Sequence, residues 1–266
     1  MLGRLIKHEL KATARYFLPL FLIAIVLTPI TRFTLWIGNY PKILQFIPTV
    51  IVFVYVASLI MVASASILLI IYRFYKSMVT DEGYLMHTLP VSTESHIMSK
   101  LTVSSIWTIS SWLVIFISLS GMFFTSERLS LLIDKLSYAW FYINTTINGS
   151  LVVLFIIEII FLVILGIFTS PLIYYASIAI GQVISKNKIL GSIIGYFIIQ
   201  VVSQIIGVIL MVPVGIYGDR VGDSADSILS FFASFFFPAT ILLAVFTQLV
   251  LFVITDYIFK KKLNLE

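Results

Sequence analysis

Long apolar runs separated by short polar segments dominate the chain. A helix that crosses a bilayer needs about 20 mainly apolar residues. Six runs meet that length: Phe17 to Ile37, Phe46 to Ile71, Leu101 to Phe124, Gly149 to Ile184, Ile189 to Ile216 and Phe231 to Phe259. The apolar residues are continuous rather than alternating, which favours helices over the two-residue period of a membrane barrel. The expected fold is all-α: a polytopic membrane protein with six transmembrane helices forming a single transmembrane domain over residues 1–266.

The fourth run is longer than one bilayer requires. Thirty-six helical residues extend about 54 Å, against a hydrocarbon core of about 30 Å. Either this helix tilts and projects beyond the membrane, or it kinks or splits at Pro171, where a backbone donor is missing.

Ahead of the first run, residues 1–16 carry a different period. At 100° per residue Arg4, Lys7, His8, Lys11 and Arg15 share one arc, and Leu2, Leu5, Ile6 and Leu10 oppose them. This is the pattern of an amphipathic interfacial helix with its basic face toward headgroups and water. Glu9 breaks the pattern by projecting onto the apolar side. It either pairs with a basic residue of another segment or contacts a partner subunit.

Composition adds weight to the membrane reading. Hydrophobic residues make up 60% of the chain and charged residues 11%, against about 25% charged in soluble domains. Mean hydropathy is +1.10. With six spans both termini share one side, together with the 72–100 and 185–188 segments. Twelve of the 17 Lys and Arg residues fall there. The positive-inside rule then places both termini and the 72–100 loop in the cytoplasm, with the protein in the cytoplasmic membrane. The net charge of +5 is accounted for by these loops, so no nucleic-acid partner is expected. With no cysteine, disulfides, thiolate metal sites and a thiol nucleophile are excluded.

The longest polar interruption, Tyr72 to Lys100, is the most informative. Thr80 is placed to cap a short helix with Asp81 and Glu82 in its first turn, where the helix dipole favours acids. Gly83, Tyr84, Leu85, Met86, His87, Thr88 and Leu89 continue it, and Pro90 ends it. Ser92 is placed to cap the next helix, which feeds the third span. Apolar groups such as Tyr84, Leu85, Met86 and Leu89 in a cytoplasmic loop point to a partner groove or to the membrane surface.

Within the spans Glu158 stands out. A carboxyl in the bilayer is costly and marks a functional site by default, here a substrate pathway. The structural alternative is satisfaction by Gln200, Ser203 or Gln204 of the fifth span. Asp256 and Lys260 form an i, i+4 pair at a span end, and Gly191 and Gly195 are a small-xxx-small packing pair. The chain has no G-x-x-x-x-G-K-[ST], so it holds no P-loop nucleotide site, and no H-E-x-x-H. No catalytic, metal or cofactor-binding residues are expected. Energy for uphill transport must come from another chain.

Three stretches carry a resemblance. The segment Asp81-Glu82-Gly83-Tyr84-Leu85-Met86-His87-Thr88-Leu89-Pro90-Val91-Ser92 is similar to the one between the second and third spans of the six-span permease subunits of type 2 ABC exporters of Gram-positive bacteria. Leu5 to Thr13 resembles their N-terminal cytoplasmic helix, and Lys188 to Tyr196 resembles the start of their fifth span. The resemblance implies a pair of permease chains, homo- or heterodimeric, each docking a separate ATPase subunit that holds ATP and Mg. This chain is then a transport subunit and not itself an enzyme. The resemblance also implies that Asp81 to Leu89 is the coupling helix, that the N-terminal helix braces the ATPase, and that Glu9 is a contact there. Substrates of such exporters include antimicrobial peptides, lipids, polysaccharides and drugs, which links them to multidrug or peptide resistance. The other reading of the same residues is a stand-alone membrane carrier or an assembly factor with no ATPase.

Overall fold

The computed structural model describes residues 2–38, 41, 46–80, 83, 91–146, 149–184, 187–218 and 225–261. No strand occurs among them. The helices are α1 (Leu2–Ile37), α2 (Phe46–Met78), α3 (Thr93–Phe123), α4 (Ser126–Thr146), α5 (Gly149–Val183), α6 (Lys188–Gly218), α7 (Ala225–Phe231), a π-helical turn (Phe232–Phe236) and α8 (Phe237–Lys261). Six of the helices, α7 with its π turn and α8 counting as one, are long and apolar enough to cross a membrane. Most large apolar side chains on them face outward, among them Phe53, Trp112, Phe197 and Leu242. In water this surface would drive aggregation; against lipid it needs no cover. The chain is built as a multi-pass membrane protein.

Two compact units divide the chain, Met1–Leu132 and Ile133–Glu266. In the first, α1, α2 and α3 pack together. The entry residues and the first span form one unbroken helix, with Pro19 and Pro29 inside it. The stripe that α1 buries is rich in polar groups: Glu9, Thr13, Phe17, Phe21, Ala24, Thr28, Thr31 and Thr34. Each Thr hydroxyl donates to the carbonyl four residues back, which satisfies it within the helix. Short hydroxyls then bridge helices. Thr28 and Tyr55 both meet the Ser118 hydroxyl, at 2.6 and 3.0 Å, and Ser66 meets Ser111 at 2.7 Å. Association between apolar helices in lipid rests on such close packing and interhelical hydrogen bonds.

In the second unit α5 packs against α6 and α8. The fourth run is one helix of 35 residues, continuous through Pro171, so it does not split into two spans. The α5–α6 hairpin is held tight by small residues. A Cβ on Gly181 would lie 2.6 Å from both the Lys188 carbonyl oxygen and the Ser192 nitrogen, and one on Gly195 would lie 3.2 Å from Ile180. The expected Gly191 and Gly195 pair thus faces α5. Tyr174 stacks on Tyr196 with ring centroids 6.0 Å apart. Gln248 of α8 donates to the Leu165 carbonyl and the Thr169 hydroxyl of α5, each at 2.8 Å. Asp256 and Lys260 form the expected i, i+4 ion pair at 2.7 Å.

Two elements lie outside the sequence expectation. Residues 126–146, between the third and fourth apolar runs, form the 21-residue helix α4. The sixth run opens with a π turn in which the Phe237 amide donates to Phe232, five residues back. Pro238 accounts for its position: proline has no amide for the Ser234 carbonyl, and its ring crowds that carbonyl.

Candidate functional site

The polar segment between α2 and α3 is anchored by its shoulders. On the α2 side Phe74, Ser77 and Met78 are buried, and on the α3 side so are His96, Ile97, Ser99 and Lys100. Ser92 caps α3 as expected, accepting from the Ser95 amide, with Glu94 in the first turn. The expected Thr80 cap differs: the Thr80 hydroxyl donates backward to the Lys76 carbonyl and closes the end of α2. Gly83 is buried and its amide donates to the Thr80 carbonyl at 2.7 Å. Its backbone passes so close to α2 that a Cβ there would fall 2.6 Å from the Met78 carbonyl carbon. Of the residues expected to form the coupling helix, Asp81 to Leu89, Gly83 alone is described. Asp81, Glu82, Tyr84, Leu85, Met86, His87 and Leu89 lie outside the described residues.

Glu9 explains how the two shoulders are held. Its carboxylate is buried where α1, α2 and α3 meet. Arg73 Nε donates to Oε1 at 2.8 Å and an Arg73 Nη to Oε2 at 3.4 Å. Lys100 Nζ lies 3.4 Å from Oε2. Arg73 lies in α2, five residues before its end at Met78, and Lys100 in α3, seven residues after its start at Thr93, so the two cations flank the interhelical segment. One carboxylate of the N-terminal helix therefore clamps both ends. Lys100 is only 3% exposed, so its charge depends on this partner far more than a solvated lysine would. The odd position of Glu9 on the helical wheel is thereby explained by basic residues of other segments.

One turn further along α1, Trp107 Nε1 donates to the Thr13 hydroxyl at 2.7 Å, and its indole stacks on Phe17 at 4.5 Å with an interplanar angle of 5°. Glu9, Thr13 and Phe17 are spaced four residues apart and form one continuous seam with α3. Beside it a cleft of about 50 Å³ opens between α1 and α2, lined by Thr13, Arg15, Tyr16, Tyr72, Arg73 and Lys76 among others. The bridging roles of Arg73, Lys100 and Trp107 were not singled out from the sequence. The available signal was that the two cations bound the polar segment.

Glu158 belongs to the second unit. It is buried in α5, and its Oε2 has no hydrogen-bond partner among the described residues. Gln200, one of the expected partners, instead donates to the Tyr196 hydroxyl at 2.9 Å. No group of three or more potential metal ligands occurs among the described residues. Comparison of the chain with protein-family models, with curated proteins and with solved structures finds no match.

Proposed function

We propose that this chain is the permease subunit of an ATP-driven exporter in the cytoplasmic membrane, with both termini cytoplasmic. It works as a dimer whose motor is a separate ATPase. The observation that carries this reading is the Glu9 clamp. A segment with no nucleotide motif, set between two spans, is fastened at both ends to the N-terminal helix through a single carboxylate. Displacement of that segment would pull α1, α2 and α3 together, as transmission from an external motor requires. The three resembling stretches support the same reading: two of them contain Glu9 and the loop it brackets. The exposed apolar flanks of the spans suit an amphipathic or hydrophobic cargo such as a peptide, lipid or drug.

The test replaces Leu85 and Met86 by aspartate and asks whether an ATPase encoded beside this chain still co-purifies with it. Loss of the ATPase from a normally inserted permease is expected. Undiminished co-purification overturns the coupling role of Asp81 to Leu89, and transport that survives ATP depletion overturns the exporter reading.

A second reading rests on Glu158. A buried carboxyl oxygen without a hydrogen-bond partner among the described residues, in an apolar helix, also suits a stand-alone carrier driven by an ion gradient. In that case Glu158→Gln abolishes transport that an uncoupler also abolishes, while ATP depletion leaves it intact.

A further inference from the structure

Helix α4 is amphipathic, and its neighbours in the chain restrict how it can lie. At 100° per residue Leu129, Leu132, Ile133, Leu136, Ala139, Trp140 and Ile143 fall in an arc of about 120°. All four charges, Glu127, Arg128, Asp134 and Lys135, lie outside that arc, with Ser130, Ser137, the tyrosines Tyr138 and Tyr142, and two apolar residues, Leu131 and Phe141. The apolar side chains are uncovered: Ile133 is 55% exposed, Leu136 60% and Trp140 51%.

Connectivity limits what can cover this face. Two residues separate Phe123, the end of α3, from Ser126, and two separate Thr146 from Gly149, the start of α5. Such links reach at most about 11 Å between Cα atoms, whereas 21 helical residues extend about 31 Å. Both neighbours are apolar up to the ends that face α4, so those ends mark the membrane surface. A helix standing upright on α3 would carry Thr146 about 31 Å from that surface, and Gly149 could not be back at it. Crossing the bilayer is opposed by the charges: Asp134 and Lys135 sit near the middle of α4, at the depth where they are most costly.

We infer that α4 lies flat in the lipid headgroup region, with the Leu129–Ile143 arc in the acyl boundary and its charges toward water. Its partner is the bilayer surface. The four charges cancel, so the attachment rests on apolar burial and the aromatic rings, which favour the headgroup level. It does not require anionic lipid. The sequence supports a direct test because the chain has no native cysteine. Single cysteines at each position from 127 to 145 in the full chain, in liposomes of zwitterionic lipid, carry a nitroxide whose collisions with oxygen and with a water-soluble nickel chelate give local depth.

Oxygen contact repeating every 3.6 residues is expected, highest at positions 132, 136 and 143, with chelate contact in antiphase and the same mean depth at both ends of the helix. Depth that changes steadily from 127 to 145 would mean a span. Chelate access at every position would mean a helix free in water. Protection of the apolar arc from both reagents would mean a protein cover. Any of these three results overturns the inference.

Discussion

Lys100 Nζ lies 3.4 Å from a carboxylate oxygen of Glu9, 91 positions earlier in the chain, and both side chains are almost fully withdrawn from the surface. Removing one partner of a buried pair leaves the other charge uncompensated, at a cost of about 3–5 kcal/mol. Glu9→Gln is therefore expected to lower the thermal stability of the detergent-solubilised protein. Lys100→Met added to Glu9→Gln is expected to return part of the loss, because a buried ammonium that no longer faces a carboxylate at position 9 is removed. A double variant no more stable than Glu9→Gln alone would show that the carboxylate matters chiefly to Arg73.

Trp107 contributes a hydrogen bond and a stacked ring, and the two are separable. Trp107→Phe keeps an aromatic ring beside Phe17 but loses the donor to Thr13. The expected cost is about 1 kcal/mol, the typical net worth of one intramolecular hydrogen bond. Trp107→Ala removes both and is expected to cost about 3–5 kcal/mol through the cavity it opens. Denaturation midpoints of the two variants, compared side by side, check the ratio.

At Gly83 the nearest atoms are backbone, and they have little freedom to move. Gly83→Ala is expected to displace the turn after α2 and weaken whatever the following segment binds, while leaving membrane insertion intact. The readout is ATPase co-purification set against the yield of inserted protein. Unchanged co-purification would mean that the turn shifts without consequence.

The glycines of the second unit provide a matched comparison. Gly181→Val drives a side chain into the backbone of Lys188 and Ser192, and overpacking of this kind costs about 1–3 kcal/mol. Gly166 and Gly207 have open space around an added Cβ. Alanine there is expected to be neutral or to gain about 0.5–1 kcal/mol from helix propensity. Melting temperatures ordered as Gly207→Ala, wild type, Gly181→Val from high to low are the expected result.

Spans were legible from the sequence because each is a long apolar run, and the helical ends exceed those runs where charged turns extend them. The join of the entry helix to the first span was not legible, since Pro19 and the change of period both suggest a boundary. Neither interrupts α1: the helix runs on through Pro19, and the basic residues before it stay exposed on the same helix. Helix α4 was missed for a different reason. Its four charges hold its average hydropathy below that of a span, and only its period, Leu129 to Leu132 to Leu136 to Trp140, records the apolar face. Glu9 was recognisable as an anomaly on its wheel. Its partners were not, because they lie 64 and 91 residues away and only packing brings them together.

The π turn at Phe232–Phe236 sets the angular register of everything after it. A turn that closes five residues back accommodates one residue more than an α-helical turn, and one residue is about 100° of rotation. Deleting a residue there, with Pro238 changed to alanine so that an unbroken α-helix can form, would swing every later side chain by that angle. Gln248 would turn away from Leu165 and Thr169. The proline that interrupts the regular helix thus acts as an alignment device, fixing which face of α8 meets α5.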